Sequence, residues 1–321
     1  MNYERAASEL VRALRGKRSQ PALSRRLGYE SNVIYTWESG RGFPTASIAL
    51  KAARRAGVSI HGVFERFYGR PPRWFDHVDP ASREGVAAFL NDIRGGTSVV
   101  DVAKASEKSR FAVARWLKGQ TEPRLPDFLR LVECCSLRLL DFLECMVAPD
   151  ALPSIRQAWK ALQSARRLAY DAPWTQAVLR ALELRAYQAR RHQSGWIAKR
   201  VGVTREIEDE CLQLLKQSGQ VRWVDGRWVA SNVRTLDMRK DPEAALRLKS
   251  WWGHVALDRA AGGGRGMVYN LFGVSTSDLD RLRALQAAYF NELRTVVAQS
   301  EPVEHVCLAA MFLMDLSEPQ A

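Results

Sequence analysis

Apolar residues recur at helical spacing along the first 150 residues, in short runs that end at glycine or proline. The stretch SNVIYTWESGRGFP, residues 31–44, begins with small polar residues and then places Ile34 and Trp37 one turn apart before Gly40 ends the run. This pattern predicts a short helix over 31–39. Its N-terminal end should be polar and its inner face apolar.

Nearly the same pattern returns as RFAVARWLKGQTEP, residues 110–123, which lies 79 positions later. Residues 14–67 align with 93–146 without a gap, and the aligned positions keep their chemical character. The chain therefore contains an internal duplication of a unit of about 65 residues. Each copy is predicted to form five short helices.

The second and third predicted helices of the first copy form a helix-turn-helix. Ser19 is a good N-cap for a helix that begins near Gln20, and Gly28 stands where the turn to the third helix needs a positive φ. The side chains predicted to lock these helices together are Leu23, Ile34 and Trp37. The polar end of the third helix is then left exposed.

Residues 19–44, SQPALSRRLGYESNVIYTWESGRGFP, resemble the Cro/CI-type (XRE) DNA-binding domain. The shared features are a Ser-Gln start to the second helix, a small residue at Ser24, a glycine turn, an isoleucine and a Glu-x-Gly-x-x-x-Pro exit. The resemblance implies that the helix at 31–39 enters the major groove, with Gln20 near a phosphate. The predicted DNA-binding residues of this copy are Gln20, Arg25, Ser31, Asn32, Tyr35, Thr36 and Arg41.

These residue types suit the implied role. Asn can bind the edge of adenine with both ends of its amide, and the hydroxyls of Ser and Thr can contact several base edges. Arginines that flank the helix can bind phosphates, and the candidates are Arg15, Arg25, Arg26 and Arg41.

The positive charge of the chain is concentrated at its front. Of a net charge of +13, residues 1–70 carry 13 − 5 = +8, residues 71–150 carry 11 − 12 = −1, and the remainder carries 24 − 18 = +6. Polyanion binding is therefore predicted to be strongest in the first copy.

The second copy departs from the family pattern, because Val99, Glu107 and Leu117 replace the residues equivalent to Gln20, Gly28 and Glu38. Its third helix is nevertheless more basic. The candidate DNA-binding residues there are Arg110, Phe111, Arg115 and Lys118. Whether this copy contacts DNA or is retained for packing stays open at this point.

The second half of the chain predicts a winged helix. Helices are expected over 174–190, 195–200 and 204–217, and a hairpin is expected around the Asp225-Gly226 turn. The third of these helices is predicted to expose Glu206, Glu208, Asp209 and Gln213. Because carboxylates repel phosphates, a protein-contact or dimerising role is favoured over DNA binding.

A small α/β sandwich is expected at the end of the chain, with helices over 241–261 and 277–300 and strands over 266–275 and 304–316. The predicted fold class is mainly α. The predicted domains are 1–70 and 71–148, both helix-turn-helix bundles, then 149–235, a winged helix, and 236–321, a small α/β domain for dimerisation or sensing.

The whole order of elements resembles a bacterial regulator family in which a Cro/CI-type head carries a C-terminal domain of unknown function. It implies a cytoplasmic, sequence-specific regulator of transcription that represses from a double-stranded DNA operator. A homodimer is expected, with an effector of unknown kind. The alternative is a protein-interaction scaffold that uses the bundles for docking.

No enzymatic activity, cofactor, metal or membrane association is expected. The five cysteines have no zinc-binding spacing, the five histidines are scattered, and the chain contains no apolar run long enough for a membrane span.

Overall fold

The computed structural model describes residues 1–69, 71–231, 241–263 and 268–317. In these residues the chain is mainly helical, as the sequence predicts. It divides into two compact units, residues 1–163 and 164–321, and the boundary falls within one helix, α11. The helices up to that boundary are α1 (Tyr3–Arg15), α2 (Gln20–Arg26), α3 (Val33–Glu38), α4 (Ala46–Ala56), α5 (Ile60–Tyr68), α6 (Arg83–Arg94), α7 (Val99–Ser106), α8 (Arg110–Leu117), α9 (Leu125–Ser136), α10 (Leu139–Met146) and α11 (Pro153–Asp171).

The second unit continues with helices and one hairpin. These elements are α12 (Trp174–Ala181), α13 (Arg185–Gln188), α14 (Trp196–Val201), α15 (Arg205–Gln217), β1 (Val221–Val224), β2 (Arg227–Ala230), α16 (Pro242–Ala261) and α17 (Thr276–Gln299). Short 3-10 helices also occur in the first unit at Arg73–Asp76 and Pro149–Ala151.

Each copy of the duplicated unit forms five helices, as predicted: α1–α5 in the first and α6–α10 in the second. Polar caps fix where the short helices begin. The hydroxyl of Ser19 accepts a hydrogen bond from the amide of Ala22 at 3.3 Å, and that of Ser109 accepts one from Ala112 at 3.2 Å. Such caps satisfy amides that have no partner within the helix.

The two copies join through a reciprocal exchange of main-chain hydrogen bonds. The amide of Ala46 donates to the carbonyl of Pro123 at 3.0 Å, and the amide of Leu125 donates to the carbonyl of Pro44 at 2.8 Å. Because these residues are equivalent pairs under the 79-residue offset, exchanging the copies converts one bond into the other. The copies are therefore related by a pseudo-two-fold axis that passes between Thr45 and Arg124, which form the bridge itself.

Helix packing follows the same symmetry. Helix α5 packs against its own equivalent, α10, and the pairing of α1 with α9 is matched by that of α6 with α4. In a two-fold dimer of separate chains such contacts would be an isologous interface, in which one surface meets a copy of itself. In this protein the interface is internal, so both halves are supplied by one chain.

Phenylalanine side chains fill the space between the copies. Phe89 is fully buried, and its ring centroid lies 4.8 Å from that of Phe64 on α5 and 5.5 Å from that of Phe142 on α10. Phe67 and Phe128 complete the cluster, at 5.7 Å and 5.9 Å from Phe89. Phe64 and Phe67 meet the Phe89 ring edge to face, whereas Phe142 stacks on it, and rings in both arrangements attract one another and bury large apolar areas. The two copies consequently share one core.

The pseudo-symmetry is broken at Glu122. Its carboxylate accepts hydrogen bonds from the Ser47 hydroxyl at 2.7 Å and the Ser47 amide at 3.4 Å. Burial alone would raise the pKa of Glu122, but these bonds outweigh burial and the pKa lies below its usual value. The contact therefore stabilises the junction at neutral pH, and that contribution is lost as the pH falls through the lowered pKa.

In the second unit the four helices α12–α15 and the hairpin surround one core, in the order of helices followed by a hairpin that the sequence predicts. The predicted helix over 174–190 is interrupted, however. Leu184 takes a ψ of 128°, which ends the helical run, and Tyr187 on α13 then reaches the core. The hairpin turn has φ values of 50° at Asp225 and 80° at Gly226, as the tight turn between paired strands requires.

The prediction that Glu208 is exposed on α15 is wrong. Glu208 is fully buried, its carboxylate accepts a hydrogen bond from the amide of Ala198 at 2.6 Å, and burial raises its pKa. Its position is i−3, i−4 and i−7 to the buried residues Cys211, Leu212 and Leu215, so helical periodicity places it on the inner face. The Glu208 carboxylate thus supplies a hydrogen-bond acceptor for an amide in the first turn of α14, which has no partner within the helix.

The two strands predicted near the C-terminus are absent from the described residues. Residues 268–275 and 304–316 form no hydrogen-bonded strand, and Gly266 and Met267 lie outside the described residues. Val303 and Val306 pack against the core formed by α12–α15 and the hairpin, whereas the apolar side chains that follow are exposed at Leu308, Met311, Phe312, Met314 and Leu316. A short apolar run is compatible both with a buried strand and with a segment that packs without strand pairing. The sequence alone does not show whether a partner strand is present. The predicted α/β sandwich is therefore not formed in the described part of the chain.

Replacing Phe89 by Ala should destabilise the chain by about 3–5 kcal/mol, since it removes the ring at the centre of the shared core. Guanidinium unfolding followed by circular dichroism measures the change. The matched control is Phe111→Ala, because the Phe111 side chain is 82% exposed, and its cost should stay below about 0.5 kcal/mol. Similar costs for the two variants would contradict a core shared between the copies.

Candidate nucleic-acid interface

Packing on one side of the first helix-turn-helix fixes which side is exposed. Leu23, Ile34 and Trp37 are buried, as predicted, and the Trp37 ring meets the edge of the Tyr29 ring at a centroid distance of 5.9 Å. Gly28 has a φ of 86°, which allows the sharp turn between α2 and α3. With the apolar side locked, the opposite side of α3 faces solvent.

The Ser24 hydroxyl joins α2 to the start of α3. It accepts a hydrogen bond from the amide of Ile34 at 3.2 Å, and it lies 3.0 Å from the carbonyl of Gln20 and 3.2 Å from Oδ1 of Asn32. Ser24 is buried, so this polar link has little competition from water. The link sets the distance and angle between the two helices.

Helix α3 begins at Val33 rather than at Ser31, because Asn32 is its N-cap. Oδ1 of Asn32 accepts a hydrogen bond from the amide of Tyr35 at 3.3 Å. Bidentate recognition of adenine needs that oxygen as an acceptor. In this conformation Asn32 therefore offers base edges its amide hydrogens, which suit the acceptors of guanine or thymine as well as N7 of adenine.

The remaining predicted base-contacting residues lie around this cap. Ser31, Asn32 and Tyr35 are exposed, and Thr36 is half-buried. The Arg41 guanidinium lies over the Tyr35 ring, 5.5 Å from its centroid, which holds both side chains at the surface. We call the set Ser31, Asn32, Tyr35 and Thr36 the first exposed face.

Glu38 is buried and holds two of the residues that the sequence assigns to phosphate. Its carboxylate accepts hydrogen bonds from Nε of Arg15 at 2.5 Å and from Nε2 of Gln20 at 2.8 Å. The Arg15 side chain is only 20% exposed, so its guanidinium serves the fold. Arg25, Arg26 and Arg41 are exposed and retain their charge for a ligand. The structural role of Glu38 was missed in the sequence, although the Glu-x-Gly exit signature contains it.

The second copy exposes its four candidate residues, Arg110, Phe111, Arg115 and Lys118, and we call this set the second exposed face. Phe111 occupies the position equivalent to Asn32 and is 82% exposed. On the other side of α8, Val113 and Trp116 are buried like their equivalents in α3.

The replacements that distinguish the second copy preserve its fold. Glu107 takes a φ of 54° and keeps the turn that Gly28 makes in the first copy. Val99 and Leu117 replace the hydrogen-bonded pair Gln20 and Glu38 together, so neither residue of that pair is left without the other. Arg94, the equivalent of Arg15, is kept and donates to the carbonyl of Thr97 at 2.8 Å instead.

One comparison with known proteins gives a match. Residues 155–314 match the family described as a domain of unknown function (DUF4423). The DUF4423 segment contains α12–α15, the hairpin, α16 and α17. No curated protein and no solved structure matches the chain. The match supports a C-terminal domain of unknown function, as expected from the sequence. It does not extend to residues 19–44, whose Cro/CI-type assignment stays a prediction.

Other kinds of site were sought in the described residues. No three His, Cys, Asp or Glu side chains there lie close enough together to bind a metal ion. Cys145 and Cys211 are buried, whereas Cys307 is exposed. Within the same residues no helix has the length and apolar character needed to cross a membrane.

Glu38→Ala should destabilise the chain by about 2–3 kcal/mol, because it leaves Arg15 and Gln20 without their acceptor. The double change Gln20→Val with Glu38→Leu copies the second copy's residues and should cost less than the single change. Guanidinium unfolding measures all variants, with the exposed Glu30→Ala as control. A double variant as unstable as Glu38→Ala would show that the two copies are not interchangeable here.

Proposed function

We propose that the protein is a sequence-specific double-stranded DNA-binding regulator of transcription, which contacts the major groove with the first exposed face. The observation that carries the proposal is the exposed start of α3, where small polar side chains protrude from a helix-turn-helix whose other side is locked by Leu23, Ile34 and Trp37. A helix of this kind fits the major groove, and its side chains then reach base edges.

Electrostatics supports the same role. The exposed arginines that flank the first exposed face are Arg25, Arg26 and Arg41, within a segment of net charge +8. Arginine binds phosphate with two parallel hydrogen bonds, which positions a protein on the duplex without reading sequence. A binder that makes about six such contacts loses on the order of a thousandfold in affinity between 50 and 200 mM salt.

We further propose that binding represses transcription, as the resemblance of residues 19–44 to Cro/CI-type domains implies. The proposal includes no enzymatic activity and no cofactor. The second half is proposed to contact protein rather than DNA, because α15 exposes Glu206, Asp209 and Glu210 where a DNA-reading winged helix would need positive charge.

A protein-interaction scaffold is the alternative function, and Phe111 favours it. An aromatic side chain that is 82% exposed could anchor a protein partner as well as contact a thymine methyl group. The two functions differ in their response to salt. A scaffold would bind duplex DNA weakly at any salt concentration, whereas the regulator would show the steep loss described above.

Two sets of substitutions should separate sequence reading from phosphate binding. Asn32→Ser keeps an N-cap oxygen but removes the amide donor, so Asn32→Ser with Thr36→Ala should relax the preference for a selected duplex by roughly 10- to 100-fold. Arg25→Ala should weaken all duplexes alike and reduce the salt slope by about one. Fluorescence anisotropy with duplexes selected from a random pool measures both.

The control for lost charge is Arg247→Ala, which removes an exposed arginine of α16. It should leave affinity within about twofold of the unaltered chain. If the Asn32 and Thr36 changes left the preference among duplexes intact, the first exposed face would not read bases and the proposed function would be lost.

We propose that the protein partner of the second unit is a second copy of this chain, bound through α17. Leu285, Tyr289 and Val296 lie on one face of α17 and are 64%, 48% and 63% exposed. An antiparallel pair of α17 helices centred between residues 286 and 287 would set Arg281 against Glu292 of the second helix. This charge pairing and the uncovered apolar face both favour a second copy as the partner.

Leu285→Glu should therefore convert a dimer into a monomer, because it places charge in the apolar face. Arg281→Glu should weaken the dimer, and adding Glu292→Arg should restore it. Sedimentation velocity measures the association state, with the exposed Leu246→Glu on α16 as the matched control. A monomer in the unaltered chain at tens of micromolar would exclude this interface.

A further inference from the structure

The pseudo-two-fold axis relates the two exposed faces as well as the cores. The exchange between Ala46 and Pro123, and between Leu125 and Pro44, lies just beyond the C-terminal ends of α3 and α8. The helices that bear the two faces, α3 and α8, are therefore each followed by the segment that crosses the pseudo-two-fold axis. In a two-fold dimer of separate helix-turn-helix chains, the two helices that read DNA are likewise related by the dimer axis.

Chain length limits how far apart the two faces lie. Thr45 lies seven positions after Glu38, and Arg124 lies seven positions after Leu117. A chain spans at most about 3.6 Å per residue, so each helix end lies within about 25 Å of the bridge between Thr45 and Arg124. The C-terminal ends of α3 and α8 are then at most about 55 Å apart, and each exposed face lies within about two helical turns of its helix end. The allowed range therefore includes the 34 Å or so between half-sites one turn apart on DNA.

The two faces carry different chemistry. The first presents neutral polar groups from Ser31, Asn32 and Thr36. The second presents Arg110 and Arg115 with an exposed ring at Phe111. Arginine is suited to the two acceptors of guanine, and an aromatic ring is suited to the methyl group of thymine. Two faces this different would not select the same bases.

We infer that one chain binds an asymmetric operator made of two unlike half-sites about one helical turn apart, the first read by the first exposed face and the second by the second exposed face. The inference rests on the proposed function and adds the form of its operator. A separate-chain dimer of one helix-turn-helix reads an inverted repeat, because its two faces are identical. In this chain the two copies are covalently joined and take the place of the two subunits, but their exposed faces differ.

The covalent junction also sets the strength of binding. Once one face is bound, the other is held at high effective concentration, which increases affinity by about 10²- to 10⁴-fold over a single face. The shared phenylalanine core fixes the geometry more firmly than a flexible linker would. Loss of either half-site is therefore expected to reduce affinity steeply, even though the other half-site remains intact.

Selection of duplexes from a random pool by the full chain tests the inference, followed by titration against designed variants of the selected duplex. The variants are a scrambled first half, a scrambled second half, and an inverted repeat of the first half. At saturating duplex we expect one chain per selected duplex, whether or not chains are paired through α17, and we expect each of the three altered duplexes to bind at least about 100-fold more weakly.

Protein variants assign the halves. Arg110→Ala with Arg115→Ala should abolish discrimination against a scrambled second half while keeping discrimination against a scrambled first half, and Asn32→Ser with Thr36→Ala should do the reverse. Arg247→Ala with Lys249→Ala removes two exposed charges of α16 and controls for net charge. Thermal melting confirms that each variant folds.

An inverted repeat of the first half that binds as tightly as the selected duplex, with two chains bound, would overturn the inference. So would an Arg110 and Arg115 variant that still discriminates against a scrambled second half. Either result leaves the proposed function standing, because the first face would still read sequence. If no duplex is selected at all, the proposed function fails and the inference falls with it.

Discussion

The reciprocal hydrogen bonds between Ala46 and Pro123 and between Leu125 and Pro44 are the constraint on which the first unit depends. Proline has no amide hydrogen, so each buried proline contributes only its carbonyl, and the pairing stops after one bridge instead of extending into a sheet. Two short helix-turn-helix bundles have little core of their own. Joined at this point, they enclose a single core centred on Phe89, whose rings come from both copies.

Much of this arrangement could be predicted from the sequence, because the relevant signals are local and repeated. The ungapped duplication gave the five helices of each copy, and glycines and N-cap residues gave their ends. Apolar spacing identified Leu23, Ile34 and Trp37 as buried, and the Asp225-Gly226 turn identified the hairpin. In each case a residue's own conformational preference, or its spacing from close neighbours, determines the outcome.

The sequence failed where the outcome depends on a distant partner. Glu208 is buried because the amide of Ala198 needs an acceptor, and a carboxylate looks exposed when that amide is unknown. Residues 304–316 have the composition of a strand, yet the described residues place helices beside them, and a strand requires another strand.

The differences between the two copies distinguish positions that pack the core from positions that are available to bind a partner. Positions on the inner faces of the helices keep their packing role, as when Val113 and Trp116 are buried like Ile34 and Trp37. Exposed positions on α3 and α8 change freely in charge and size, from Asn32 to Phe111 among others. A ring left 82% in water gains nothing from the fold and carries the cost of hydrating apolar surface. Binding of a partner molecule to the Phe111 ring would offset that cost. The ring stands at the position equivalent to Asn32, the N-cap of α3. The side chains that differ between the two faces, more than those they share, therefore determine what each face can bind.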